Sequence, residues 1–158
     1  NPITSVLVKK YETIKGSYER DQWEYLATIN INGIWIKENN EQILIGQITL
    51  GGIIFGAMRG AHIGYWIDQA QAGQSYVAEG VVVMCRYAVE DLGLHRIEIC
   101  IVPRNSNSRR VMEKLEIRDE GTALRFLEIN GIWEDHVRYA ITAEEWNERR
   151  DELSQRWL

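Results

Sequence analysis

The sequence predicts an α/β domain on a mixed, mostly antiparallel sheet. Two pairs of alternating apolar runs, 34–38 with 43–50 and 123–129 with 132–141, each break at a two-residue turn, Asn39-Asn40 and Asn130-Gly131, as β-hairpins do. Between them, 61–102 reads strand, loop, helix, strand, and two strands joined by a helix lie parallel with a right-handed crossover. Hydrophobic residues make up 45% and charged residues 26%, enough over 158 residues for one core, so 1–158 is read as a single domain.

Taken in order, residues 4–31 carry a mainly helical pattern with a break at Gly16. Trp23, Leu26 and Asn30 fall at helical spacing, and Asn32-Gly33 offers a stop. Tyr25, Ala27, Ile29 and Ile31 also alternate as a strand would. The pentapeptide INGIW occurs at 31–35 and 129–133, expected first as a helix stop running into a strand and then as a hairpin turn. Gly51-Gly52 should end the first hairpin, and a third strand should cover 61–68. The following helix places Val77, Val81, Met84, Cys85 and Ala88 on one face and closes at Gly93. In 95–102, Ile97, Ile99 and Ile101 alternate with Arg96, Glu98 and Cys100, a strand that Pro103 stops. Asn105 or Ser106 then caps a short helix to about residue 115, and a polar helix from Ala143 ends the chain.

The richest stretch is GYWIDQAQAGQSYVAE, residues 64–79. A strand running through a glycine-containing loop into a helix aims several unpaired backbone N–H groups at one place. The helix start adds about half a positive charge, and a diphosphate suits such a nest.

Bulk properties exclude other classes. A formal charge of -5 opposes nonspecific binding to nucleic acid or anionic membranes. No apolar run approaches the roughly 20 residues of a bilayer span, and no signal-peptide pattern opens the chain, so the expected location is cytoplasmic. Cys85 and Cys100 sit in apolar contexts as reduced core residues, and three histidines without paired Cys/His spacing predict no metal site. The chain begins Asn1-Pro2 rather than with Met.

The order of GQITLGGI (46–53), GYWID (64–68), AGQSYVAE (72–79), GLHRIE (93–98), NSNS (105–108) and INGIWEDH (129–136) resembles the GNAT acetyltransferases, in the ribosomal-protein-alanine (RimJ/RimL-like) branch. The resemblance implies the GNAT (acyl-CoA N-acyltransferase) fold, with a splayed parallel strand pair flanked by helices, and acetyl-CoA as donor. It implies that the Tyr65, Trp66 and Ile67 backbone pairs with the pantetheine arm, and that Ala72, Gly73, Gln74, Ser75, Tyr76 and Val77 surround the diphosphate. Asn105 and Ser108 would lie near the thioester. Departures from the family pattern are Ala72, Ser75 and Val77 in the loop signature, Met112 for a common general-acid tyrosine, and Glu116-Ile117 for a Gly-Phe pair. Leu127, beside Glu128, stands where one branch has a glutamate proposed as base, and the domain is expected to lack the family's N-terminal strand. With a negative φ the Ser75 amide still donates to the diphosphate and its hydroxyl adds a bond; a positive φ, which favours glycine, would weaken binding.

Acetyl transfer needs a neutral amine, a polarised carbonyl and a tolerable leaving thiolate. An α-amine with pKa about 7.7–8.0 is partly neutral at pH 7, whereas a lysine at about 10.4 is not. A chain without an evident base therefore suits N-terminal acetylation. A strand amide near Ile67 would polarise the carbonyl, Ser108 would assist the thiolate and His62 could relay a proton. Each has a plainer alternative: Ser108 decorating a helix turn, Asn105 only capping, His62 on the surface. Glu128, Glu134 and Asp135 could attract a cationic N-terminus or form a solvated edge, and Trp35 and Trp133 are expected to pack. The expected partner is a protein or peptide N-terminus, that of a ribosomal protein included, met by a monomer or homodimer without nucleic acid or membrane. A small-amine acetyltransferase (polyamine or antibiotic) and a CoA-binding module without turnover are the alternatives.

Overall fold

The computed structural model describes residues 9–10, 28–38 and 41–158, with side chains at 33–36 and from 41 onward. Among the described residues, seven strands form one sheet in the order β1-β2-β3-β4-β5-β7-β6. They are β1 (Lys9–Lys10), β2 (Thr28–Glu38), β3 (Glu41–Ile54), β4 (Gly60–Ile67), β5 (Arg96–Ile101), β6 (Arg118–Ile129) and β7 (Ile132–Thr142). The helices are α1 (Tyr76–Arg86), α2 (Ser106–Lys114) and α3 (Ala143–Trp157), and a π turn, Tyr87–Asp91, extends α1. Every strand pair is antiparallel except β4 with β5. This is the GNAT fold that the resemblance implied.

The expected helix over 4–31 is overturned where it can be seen. Lys9–Lys10 are a strand, and residues 28–31 belong to β2; the other positions of that helix, Trp23 and Leu26 included, lie outside the described residues. Asn32-Gly33 do not stop a helix but sit in mid-strand, Asn32 opposite Lys10 and Ile48, Gly33 opposite Lys9 and Gln47. The second INGIW does turn, with φ of 51° at Asn130 and 80° at Gly131, as a two-residue hairpin of the primed type requires. Neighbours separate the two copies: ladders on both sides hold the first extended, while the second ends the edge hairpin.

Gly51-Gly52 do not end β3, which runs on to Ile54. A register shift between Gly51 and Ile54 against β4 absorbs the kink, with Gly52 at φ 58°. The remaining expected strands and helices are present, but β2 begins at Thr28 rather than at 34 and β6 at Arg118 rather than at 123; the Asn39-Asn40 turn lies outside the described residues.

β4 sets the geometry of the site. It pairs with β3 from Ile54↔Gly60 to Gly46↔Ile67, but with β5 only at Gly60↔Arg96, Ala61↔Ile97 and His62↔Glu98. Past His62 the parallel strands part. Gly46 lets β3 keep β4 close, since a Cβ there would lie 2.5 Å from the Trp66 carbonyl oxygen.

The core lies between the sheet and the helices. Ile34, Ile48, Leu50, Ile97 and Ile99 meet Val81, Met84 and Cys85 of α1, Met112 of α2 and Trp146 of α3, all at most 2% exposed. Gly93 ends the α1 segment at φ 66°, and the Leu94 N–H donates to the Ala88 carbonyl. Thr142 and Glu145 cap α3 reciprocally: the Thr142 N–H donates to Glu145 Oε2 (2.8 Å) and the Glu145 N–H to Thr142 Oγ1 (3.4 Å). The polar composition of α3 hides two anchors, Trp146 and Leu153.

Gly80 lies inside α1, and a methyl group there would meet Ile48 and Ile34 at ordinary contact distances of 3.7 and 3.8 Å. Gly80→Ala should therefore stabilise the fold by about 1 kcal/mol through helix propensity. Chemical denaturation checks this; destabilisation would mean that the α1–sheet contact has no room for a methyl.

Candidate active site

The fork between β4 and β5 opens into a cleft of about 790 Å³, within the range of small-molecule sites. One wall is the end of β4 (Tyr65, Trp66, Ile67), the other is α2, and the loop into α1 closes one end. The structure brings together there Tyr65, Trp66, Ile67, Ala72, Gly73, Ser75, Tyr76, Val77, Asn105 and Ser108. Two sequence candidates lie elsewhere. Gln74 is exposed outside the lining, and His62 sits at the last paired position of β4.

Loop conformation makes the closed end receptive to an anion. Gly73 has φ of 82° and Ser75 of 68°, so the chain turns sharply just before α1. The left-handed conformation at Ser75 costs roughly 1 kcal/mol relative to a glycine. Ser75 stands at the N-cap position yet makes no side-chain cap bond; its Oγ lies 3.3 Å from Lys114 Nζ and accepts from it. The first turn of α1 (Tyr76, Val77, Ala78) thus faces the cleft with helix-start N–H groups that have no intrahelical partner.

Sequence reasoning missed the cationic side. α2 adds Asn107, Arg110, Val111 and Lys114 to the wall, residues at helical spacing that continue the Asn105/Ser108 element. That spacing was the available signal. Asn105 is the cap of α2, its Oδ1 accepting the Ser108 N–H at 3.1 Å, and it also faces the cleft. Ser108 is half-buried, and its carbonyl accepts the Tyr65 hydroxyl at 3.3 Å across the cleft. Burial pushes the Tyr65 phenol up to about 12, despite that bond. Met112 is fully buried in the core rather than in the lining.

At the apex of the fork, Glu98 is 4% exposed, although alternation alone put it on the polar side of its strand. Its carboxylate accepts from Arg96 Nε at 2.7 Å and Arg138 at 3.0 Å, and His62 Nδ1 lies 3.6 Å away. Burial alone would raise this carboxyl; the hydrogen bonds and charges of Arg96 and Arg138 outweigh it and hold Glu98 below the usual range. His62, Glu98 and Cys100 place one donor atom each within 4.8 Å of one another, but two guanidinium groups already balance the Glu98 charge and oppose a cation. Burial raises the Cys100 thiol to about 11 and Cys85 to about 12, and both are free thiols.

Two of the three acidic hairpin candidates are engaged, and Glu128 is exposed. Glu134 pairs with Arg104, and Asp135 Oδ1 accepts the Arg125 N–H at 2.8 Å. Trp133, expected to pack, is 59% exposed, close to the turn of the β6–β7 hairpin at the edge of the sheet. No described helix is long and apolar enough to cross a membrane.

A fork between parallel strands, joined by a cleft to an amide-lined helix start, is the architecture of an acyl-CoA-type transferase. The chain belongs to the GNAT acetyltransferase family: the family model described as acetyltransferase (GNAT) domain matches residues 6–118. It is similar to the probable N-acetyltransferase YjcK of Bacillus subtilis, 39% identical over 133 residues, covering 83% of this chain and 74% of that protein. It is 30% identical to the [ribosomal protein uS5]-alanine N-acetyltransferase of Escherichia coli over 111 residues, 70% of this chain and 57% of that one. Among solved structures, Mycobacterium smegmatis RimJ in complex with CoA-disulfide matches with a TM-score of 0.68 and 34% identity, over 74% of this chain and 54% of that chain. The match thus spans little more than half of the last two relatives.

A carboxyl held low contributes stability that is present above its unfolded value, 4.5, and lost as pH falls through the folded value. Glu98→Gln should therefore destabilise by about 3 kcal/mol at pH 7, as expected for one partner removed from a buried ionic cluster. The gap to the unchanged protein should shrink as pH drops from 7 towards 3. Thermal unfolding across pH measures it, and a gap independent of pH would show that Glu98 is not the charged centre of the cluster.

Proposed function

We propose that the chain uses acetyl-CoA to acetylate the α-amine at the N-terminus of a protein or peptide. The observation that carries this reading is the cleft of about 790 Å³ between the α1 start, the end of β4 and α2, on the stretch of β4 that β5 no longer pairs. The E. coli relative named as a ribosomal protein uS5-alanine acetyltransferase supports the acceptor class.

The residues present fit the donor. Backbone N–H groups of the loop and the first turn of α1 would hold the diphosphate, with Lys114 and Arg110 supplying the positive charge that amides alone lack. The free edge of β4 at Tyr65 and Ile67 would pair with the pantetheine amides, since β5 has left that edge open. A β4 amide near Ile67 polarises the thioester carbonyl. The amine attacks it directly in a ternary complex, and the Ser108 hydroxyl supports the departing sulfur. An α-amine of pKa about 7.7–8.0 is partly neutral at working pH, so a weak proton acceptor suffices. His62, the acceptor expected from the sequence, lies five residues before Ile67 on β4, about 16 Å away at 3.3 Å per residue, so solvent in the open cleft takes the proton.

Thiol release from acetyl-CoA tests the reading, with an alanine-started peptide set against a polyamine. Turnover with the peptide is expected; turnover with the polyamine alone would move the acceptor to small amines, and CoA binding without release from any amine would leave a binding module. Lys114→Ala should weaken CoA binding about fivefold, an exposed ion pair being worth about 1 kcal/mol, and flatten its salt dependence. Ser108→Ala should lower kcat about tenfold with acetyl-CoA affinity within about twofold, in line with one lost hydrogen bond. An unaltered rate would remove that hydroxyl from the reaction.

A further inference from the structure

The leaving thiolate needs a donor, and the cleft carries few hydroxyls. Among the described residues its wall presents those of Tyr65, Tyr76, Ser75 and Ser108. Ser75 and Tyr76 stand at the α1 end, where the loop amides lie. Tyr65 and Ser108 stand towards the fork, on opposite walls.

Tyr65 is held in a particular way. Its Cα is three residues past His62, where β4 and β5 last pair, so it lies about 10 Å beyond the apex at 3.3 Å per residue. Its ring packs against the core, and its hydroxyl reaches across to the Ser108 carbonyl in the first turn of α2. At 3.3 Å that bond is long for an O–H donor, which prefers about 2.7–2.8 Å, so a stronger acceptor would draw the proton away from it. A second phenol nearby, that of Tyr139, is 4% exposed, accepts from Arg109 Nε at 3.2 Å and is not part of the cleft wall.

We infer that the Tyr65 hydroxyl is a catalytic donor that turns from the Ser108 carbonyl to hydrogen-bond the sulfur of the departing CoA thiolate. This rests on the acetyl-CoA reading above and adds a reacting-centre group to it. The neutral amine forms a C–N bond to the acetyl carbon, the C–S bond breaks, and the electron pair goes to sulfur. Tyr65 donates a hydrogen bond to that sulfur without surrendering its proton, because burial holds the phenol at about 12. The proton that ends on CoA is the one the amine nitrogen loses, passed through solvent. The Ser108 carbonyl holds the hydroxyl between turnovers, so that no buried donor is left unpaired.

The test compares CoA with desulfo-CoA, which lacks the thiol, on the unchanged chain and on Tyr65→Phe. A donor to sulfur predicts that the unchanged chain prefers CoA over desulfo-CoA at pH 9, and that Tyr65→Phe loses the preference by about tenfold while binding desulfo-CoA as before. With an alanine-started peptide as acceptor, kcat of Tyr65→Phe should fall at least tenfold with KM for acetyl-CoA within about twofold. Equal losses of affinity for both ligands would assign the hydroxyl to wall structure and overturn the role, as would an unchanged preference for CoA. Failure of the unchanged chain to bind either ligand would overturn the acetyl-CoA reading itself, and this role with it.

Discussion

A strand cannot hydrogen-bond fully to two neighbours that run away from each other, and β4 is caught between such neighbours. It keeps its ladder with β3 along its whole length but leaves β5 after three pairs. Its backbone beyond His62 is thereby left with an open edge in the cleft wall, where unpaired amides and carbonyls can take a partner. Gly46 helps to decide which neighbour wins, because any larger residue would push β3 off the Trp66 carbonyl. The loop, the α1 start and the α2 wall gain their importance by lining the space that this divergence opens.

Closing the apex requires an ionic cluster as much as apolar packing. Glu98 lies at the last β4–β5 pair and gathers Arg96 from its own strand and Arg138 from β7, with His62 across the fork. Burying a carboxylate is tolerable only when such partners satisfy it. Arg96 also reaches Glu120 on β6, tying the edge hairpin to the centre of the sheet.

At the other end, strain and charge trade against each other. Ser75 occupies a left-handed conformation better suited to glycine, yet its hydroxyl accepts from Lys114 and so fixes a cation beside the amide nest. A glycine there would relax the backbone and lose that tether. The departure from the family's loop signature thus has a local structural counterpart on α2.

Patterns that depend on near neighbours in the chain were legible. The hairpin at Asn130-Gly131, the apolar face of α1, the cap at Asn105 and the loop from Gly73 each follow from local backbone preferences. The order of these pieces was enough to suggest the family, which the match over residues 6–118 then established. What the sequence could not decide was anything set by which strand lies beside which. Asn32-Gly33 reads as a stop until ladders on both sides hold it straight; Glu98 reads as solvent-facing until two arginines from different strands enclose it. In each case a contact distant in sequence outweighs a local preference of about a kilocalorie per mole, and such contacts exist only in the folded sheet.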